Sequence, residues 1–216
     1  MWGIELDGRP VRTPTRTLLQ LGPEPLAQAI AEEWQAAGES IDPRSMPLTG
    51  LANAALDRVQ ADAEAFAAGL ARYGESDLLT YRAETPRELV DRQATEWDPL
   101  LQWARRRYDI DFVVTRGVSY VPQPPATVTR LAQAVAAVDP FRLAGLSPLV
   151  TIGGSLVAGL AVLEEAVSTE ETWSAVTLDE RWQLEKWGAD SEAEAALNNR
   201  RADFLAAARF LRLLGG

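Results

Sequence analysis

The sequence contains neither cysteine nor histidine. Without cysteine there are no disulfides, no thiolate nucleophiles and no zinc–sulfur sites, and the chain is compatible with a reducing or an oxidising compartment. Without histidine the commonest general base and the commonest transition-metal ligand are missing. Serine–histidine and cysteine–histidine mechanisms are therefore excluded. Any catalysis would rest on carboxylates, tyrosine, hydroxyls or Lys186, the only lysine in the chain. Basic residues are outnumbered, 21 against 31 acidic, for a net charge of −10. That balance argues against nucleic acid and against anionic membrane surfaces, since both need a basic face. There is no G-x-G-x-x-G, no Gly-Lys-Ser/Thr after Gly153-Gly154 and no D-x-D-x-D-G calcium loop. No signal peptide is read at Met1, which is followed by neither a basic start nor an apolar run. The chain opens inside a strand, from which we expect that a natural N-terminal segment precedes it.

What is present is an ordinary globular composition, 47% hydrophobic and 24% charged over 216 residues, enough for a sizeable core. Residues 1–21 read as β-structure. Ile4 and Leu6 alternate with polar neighbours, Asp7-Gly8 is a hairpin turn, and Pro10 and Pro14 mark an edge strand or bulge. A further strand is expected over Thr17 to Leu21, then a helix over Pro25 to Ala37 carrying Leu26, Ile30 and Trp34 at every fourth position. Ile41 to Pro47 is a loop. A helical pattern follows from Thr49 to Gly74 with a break near Gln60, and Asp77 to Arg82 reads as extended. Pro86 opens a long helix ending in Arg105-Arg106-Arg107, where basic residues suit the helix dipole. Phe112 to Val121 is β-like around Gly117, and everything after Pro122 is helical. Pro148 is expected to interrupt or restart the helix begun at Asp139-Pro140, and capping-box spacings at Ser168/Glu171 and Ser191/Glu194 mark the last two helices. The fold class is α+β: an N-terminal α+β domain over 1–84 with antiparallel strands, then a mainly helical domain over 85–216 with a short β-like segment near 112–121. Leu143 to Leu163 carries no charge, but its glycines, Pro148 and lack of flanking anchors point to a buried central helix, not a membrane span.

The stretch Leu178 to Gly188, LDERWQLEKWG, is the candidate functional centre. At ~100° per residue, Leu178, Trp182 and Glu185 share one helical face, with Trp173, Val176, Gln183 and Trp187 on the other. A helix with bulky apolar groups on two sides is either sandwiched in the fold or presents one side to a partner. Glu185 between two tryptophans also fits half of a paired-carboxylate hydrolase, although no second carboxylate is nominated. As a non-catalytic residue it is solvated, caps a helix, or meets an internal arginine or a partner's polar group, because burying it unpaired is costly.

Five motifs occur in order: Leu6 to Pro14 (LDGRPVRTP), Met46-Pro-Leu-Thr49 with Leu51-Ala-Asn53, Asp77-Leu-Leu with Tyr81-Arg82, Trp97-Asp-Pro-Leu-Leu101, and Trp182-Gln-x-Glu-x-Trp-Gly188. The chain resembles the assembly chaperones for the soluble catalytic head of the mitochondrial-type ATP synthase, specifically the member that holds the α subunit, found in mitochondria and α-proteobacteria. It departs from the expected pattern at Gly50 and at Gly153 to Leu156. The resemblance implies a non-enzymatic protein with no catalytic residues, no metal and no cofactor. It would be cytoplasmic in a bacterium or in the mitochondrial matrix, and its partner would be the free α subunit rather than nucleic acid, membrane or a small molecule. It implies Glu185, Trp182, Gln183 and Trp187 as client-binding residues, with Trp34 and Leu178 in support. On this reading Trp173 and Trp187 anchor the helix inside the helical domain, and Glu185 faces a cleft toward the β-rich part or the client. A carboxylate-dependent hydrolase using Glu185 and a non-catalytic scaffold are the alternatives.

Overall fold

A computed structural model describes residues 1–38, 41–188 and 191–215. The hairpin expected at Asp7-Gly8 forms between β2 (Glu5–Leu6) and β3 (Arg9–Pro10), and both turn residues have positive φ, 52° and 74°. β1 (Trp2–Gly3) pairs antiparallel with β4 (Gln20–Leu21), and an isolated bridge joins Arg12 to Leu18. This small β-structure covers α1 (Glu24–Ala36), and Ile4, Leu19, Leu21, Leu26 and Ile30 close a core against Leu48 and Phe210.

The helical pattern expected from Thr49 to Gly74 divides into α2 (Pro47–Ala54), one π-helical turn over 55–59 and α3 (Ala63–Ala71). Asp62 separates the last two and accepts a hydrogen bond from the Ala65 N–H, a side-chain cap. The start of α2 has no cap of its own. Glu33, on α1, supplies it, accepting from the Leu48 and Thr49 N–H groups at 2.8 Å each and from the Thr49 hydroxyl at 2.7 Å. Because these donors would otherwise be orphaned at a helix start, Glu33→Ala is expected to cost about 2 kcal/mol and Glu33→Gln about half that. Urea unfolding measures both, and equal stability of the alanine variant and wild type would refute the assignment.

The expected extended piece Asp77 to Arg82 is a short 3-10 turn followed by β5 (Tyr81–Arg82), which pairs in parallel with β6 (Thr115–Arg116). The β-like region over 112–121 thus contributes only two paired residues. Gln123 satisfies part of the rest, its amide both accepting from the Val113 N–H and donating to the Val113 carbonyl at 2.9 Å. The long helix is α4 (Arg87–Tyr108).

The uncharged stretch folds as a buried pair, α6 (Pro140–Gly153) and α7 (Leu156–Leu163), after α5 (Pro125–Ala136). Pro148 lies inside α6 and does not interrupt it. Proline has no N–H and so removes one helical hydrogen bond, but Leu146, Leu149 and Val150 beside it are fully buried and hold the helix in place. Two glycines permit the close packing: a Cβ at Gly145 would sit 2.6 Å from Leu211, and one at Gly159 would sit 2.7 Å from Val150. Among the described residues no helix is long and apolar enough to cross a membrane.

Around this pair lie α3, α4, α8 (Thr169–Val176) and α10 (Ser191–Leu214). The capping box at Ser168 and Glu171 is present. Ser191, expected at a capping box with Glu194, is the first helical residue of α10, and residues 189–190 before it lie outside the described residues. The largest apolar cluster joins Ala55, Val59, Leu70 and Leu79 to Trp97, Leu101, Leu131 and Leu160, so it draws on both sides of residue 84. The architecture is α+β, with short N-terminal strands followed by helices.

Candidate functional site

Instead of one helix through Trp173 and Trp187, the chain turns at Thr177 between α8 and α9 (Leu178–Trp187). The break is held by side chains that take the last carbonyls of α8. The Thr177 hydroxyl donates to the Trp173 carbonyl at 2.7 Å, and Arg181 donates to the Ser174 carbonyl at 2.9 Å and its hydroxyl at 2.8 Å. Trp173 and Val176 therefore belong to α8. Trp173 is buried against Phe204, ring centroids 5.3 Å apart.

On α9, Leu178, Trp182 and Glu185 share a face as their spacing requires, and that face lies on α4. Leu178 and Trp182 are buried. Asp179 in the first turn accepts from the Gln93 amide at 2.7 Å, and the same amide accepts from the Ala83 N–H at 2.8 Å, tying α9 through α4 to the residue that follows β5. Glu185 is half-exposed and accepts from Arg92 at 2.8 Å. It is neither solvated alone nor deeply buried: it meets an internal arginine. The Glu185 hydrogen bond pushes the Arg92 guanidinium further above its ordinary pKa.

Arg92 also lies 4.9 Å from the centre of the Trp182 ring, and Lys186 lies 4.4 Å from it. Glu88, one turn before Arg92, pairs with Arg92 and with Lys186, at 3.3 Å each. Trp182 thus sits among two cations and two carboxylates, and each cation is attracted by the ring face. Exposed pairs of this kind add little stability. What the cluster does is fix direction: one Glu185 oxygen is held by Arg92 while the side chain keeps 46% of its surface open.

Trp187 is 81% exposed, so it does not anchor the helix as expected. The reason is the break at Thr177: with α9 laid on α4 by Leu178 and Trp182, the side bearing Gln183 and Trp187 faces solvent. Gln183 is exposed as well. Trp34 is half-buried on α1, packed with the N-terminal core and remote in sequence from this cluster. Sequence reasoning missed Arg92, Glu88 and Gln93. Their only local signal is the i,i+4 pairing of Glu88 with Arg92, which does not point to a glutamate 93 residues further on.

The fold superimposes on the crystal structure of Atp12 from Paracoccus denitrificans with a TM-score of 0.94, at 46% identity, covering 99% of this chain and 91% of that one. The chain belongs to the Atp12 chaperone family. The model of the ATP12 chaperone protein family matches residues 1–105. A second Atp12 relative, the mitochondrial protein atp12 of Schizosaccharomyces pombe, is 24% identical over 220 residues, which is 96% of this chain and 76% of that protein. The Atu1473 protein of Agrobacterium tumefaciens has the same fold, with a TM-score of 0.93 at 36% identity over 98% of this chain and 80% of its own. The Atp12 family is the ATP synthase assembly family that the five motifs resemble.

Proposed function

We propose that this chaperone binds the unassembled α subunit of the ATP synthase catalytic head and prevents its aggregation until the β subunit replaces it. An orphan subunit exposes the apolar interface it will later bury, and a transient occupant of that interface suppresses self-association. The observation that carries the reading is Trp187, a tryptophan 81% exposed at the end of a helix that also presents a half-exposed, oriented Glu185. Tryptophan is among the residues enriched at the energetic centres of interfaces. Glu185, Gln183 and Trp187 are the client-binding residues, and Trp182 is the aromatic support on which Glu185 and its cations are arranged. Leu178 fixes α9 on α4, and Trp34 supports the N-terminal core. The protein acts without catalysis, cofactor or metal, in the bacterial cytoplasm or the mitochondrial matrix.

The test is aggregation of purified α subunit, followed by light scattering, without nucleotide and at near-stoichiometric chaperone. The wild type is expected to suppress scattering. Glu185→Lys is expected to lose suppression while its melting temperature stays within a few degrees of wild type, because the pair it breaks is exposed. Failure of the wild type to bind or protect the subunit sinks the proposal. Full protection by Glu185→Lys removes Glu185 from the site, and hydrolytic turnover that Glu185→Gln abolishes would establish an enzyme instead.

A further inference from the structure

Of the ten large apolar side chains exposed among the described residues, four belong to one short segment: Val113, Val114, Val118 and Tyr120. Val118 is 99% exposed. The segment is nonetheless held in place. Gln123, itself buried, takes both backbone groups of Val113, and the Gly117 N–H donates to the Arg82 carbonyl at 2.9 Å. Between these ties β6 runs parallel to β5, with Thr115 beside Tyr81 and Arg116 beside Arg82.

That pairing uses one edge of β6. Thr115 and Gly117 turn their backbone groups toward β5, so Val114 and Arg116, which alternate with them, offer theirs to the opposite edge. Outside the β5 ladder neither N–H finds an acceptor among the described residues, and the Arg116 carbonyl meets only the Thr115 hydroxyl, at 3.4 Å. Parallel sheets are ordinarily covered on both faces, and stable sheets have three or more strands. This one has two, with Arg116 exposed and Tyr81 and Thr115 half-buried. Arg116 pairs with no carboxylate among the described residues, although Glu84 lies beside Gly117. Tyr120 lines, with Arg72, Tyr73 and Ser76, a groove of about 440 Å³.

We infer that the open edge of β6 receives an extended segment of the client, which joins the sheet as a third strand. The inference rests on the client reading above and adds a contact remote in sequence from α9. The backbone of the incoming strand bonds to Val114 and Arg116, its apolar side chains cover Val114 and Val118, and a carboxylate on it faces Arg116. In strand addition the main-chain bonds give affinity, and pockets such as the Tyr120 groove give selectivity. The shortness of β6 and its arginine guard the edge against indiscriminate pairing. A second copy of this chain is the poorer occupant: each copy carries a net charge of −10, and two such edges would bring Arg116 toward Arg116.

Hydrogen–deuterium exchange of the chaperone, alone and with purified ATP synthase α subunit, reads this edge directly. With the subunit bound, the Val114 and Arg116 amides are expected to exchange at least about 10-fold more slowly. Arg116→Pro deletes the outward N–H, a change that an edge strand accepts, and is expected to weaken binding about 10-fold. Arg116→Ala removes the charge alone and should weaken binding about threefold at ~50 mM salt and less at ~300 mM. Wild type that binds the subunit without slower exchange in this segment overturns the third strand and leaves the client assignment standing, even where the proline variant fails to fold. Slower exchange together with a stable Arg116→Pro variant that binds as tightly as wild type overturns the backbone pairing. Slower exchange that needs only a higher concentration of chaperone assigns the edge to a second copy and overturns the inference too. Wild type that does not bind the subunit overturns both readings.

Discussion

Replacing Trp97 by alanine is expected to remove about 4–5 kcal/mol of stability, the largest loss from any single aromatic in this chain. Trp97 is fully buried in the main core, where α4 passes the α6–α7 pair. Three effects add. The indole leaves a cavity that its fully buried neighbours cannot collapse to fill. Its N–H donates to the Ala175 carbonyl at 2.7 Å near the end of α8, and that buried hydrogen bond would be lost. Its face also carries the Arg82 guanidinium, 5.2 Å from the ring centre, and Arg82 is itself 92% buried. Arg82 would keep its bonds to the Leu79 carbonyl and to Asp98 but lose the surface it lies on. A domain of this size has ~5–15 kcal/mol in total, so the variant melts some 10–20 °C lower. Trp97→Phe keeps most of the volume and loses the hydrogen bond, for about 2 kcal/mol. Calorimetry of both variants tests the partition: a Trp97→Ala protein within 1 kcal/mol of wild type would refute it.

Trp97 also illustrates what a sequence can disclose. Its burial follows from the spacing of Leu89, Val90, Trp97, Leu100 and Leu101, a helical face that period alone identifies. The Asp7-Gly8 hairpin, the Ser168 capping box and the burial of the uncharged stretch follow in the same way, each from a local rule with a local cause. Elements governed by distant partners do not. Glu33 caps a helix 15 residues on, β6 pairs in parallel with a strand 34 residues before it, and Pro148 is tolerated because its neighbours are buried. None of these leaves a periodic trace.

The site shows the same division. Periodicity puts Leu178, Trp182 and Glu185 on one face, and the structure keeps them there. It fails at Thr177, because a threonine in helical spacing gives no warning that its hydroxyl and Arg181 will take the carbonyls of the preceding turn. That one turn separates Trp173 from Trp187 and exposes Trp187, reversing the expected anchor into an open aromatic. Arg92, the partner of Glu185, belongs to a helix that the sequence places correctly, but nothing in it selects this arginine from twenty.

Asp77 carries the other large expectation, and it is one of pH. Its carboxylate is completely buried, with one oxygen accepting from the Leu79 N–H at 3.1 Å and the other from the Val157 N–H at 2.9 Å, so that it closes the start of α7 from a distant turn. Burial raises its pKa from 3.8 to about 6, against the pull of these N–H donors and of Ser155 in the opposite direction. A carboxyl held above its unfolded value binds its proton more tightly in the folded state. Its stabilisation is therefore complete below about pH 4 and is lost as pH rises through about 6. At 1.36 kcal/mol per unit the loss is about 3 kcal/mol. Groups held low, such as Glu171 under its Ser168 hydrogen bonds, act with the opposite sign only at more acidic pH. Asp77→Asn removes the titration while retaining an acceptor for one N–H. The stability difference, variant minus wild type, should therefore rise by about 3 kcal/mol between pH 4 and pH 7. Asp77→Ala leaves both buried N–H groups without acceptors and should cost about 3–5 kcal/mol at pH 4, where wild-type Asp77 is protonated and uncharged. Urea unfolding across this range decides the matter: a pH-independent difference between Asp77→Asn and wild type would mean that Asp77 stays ionised in the core.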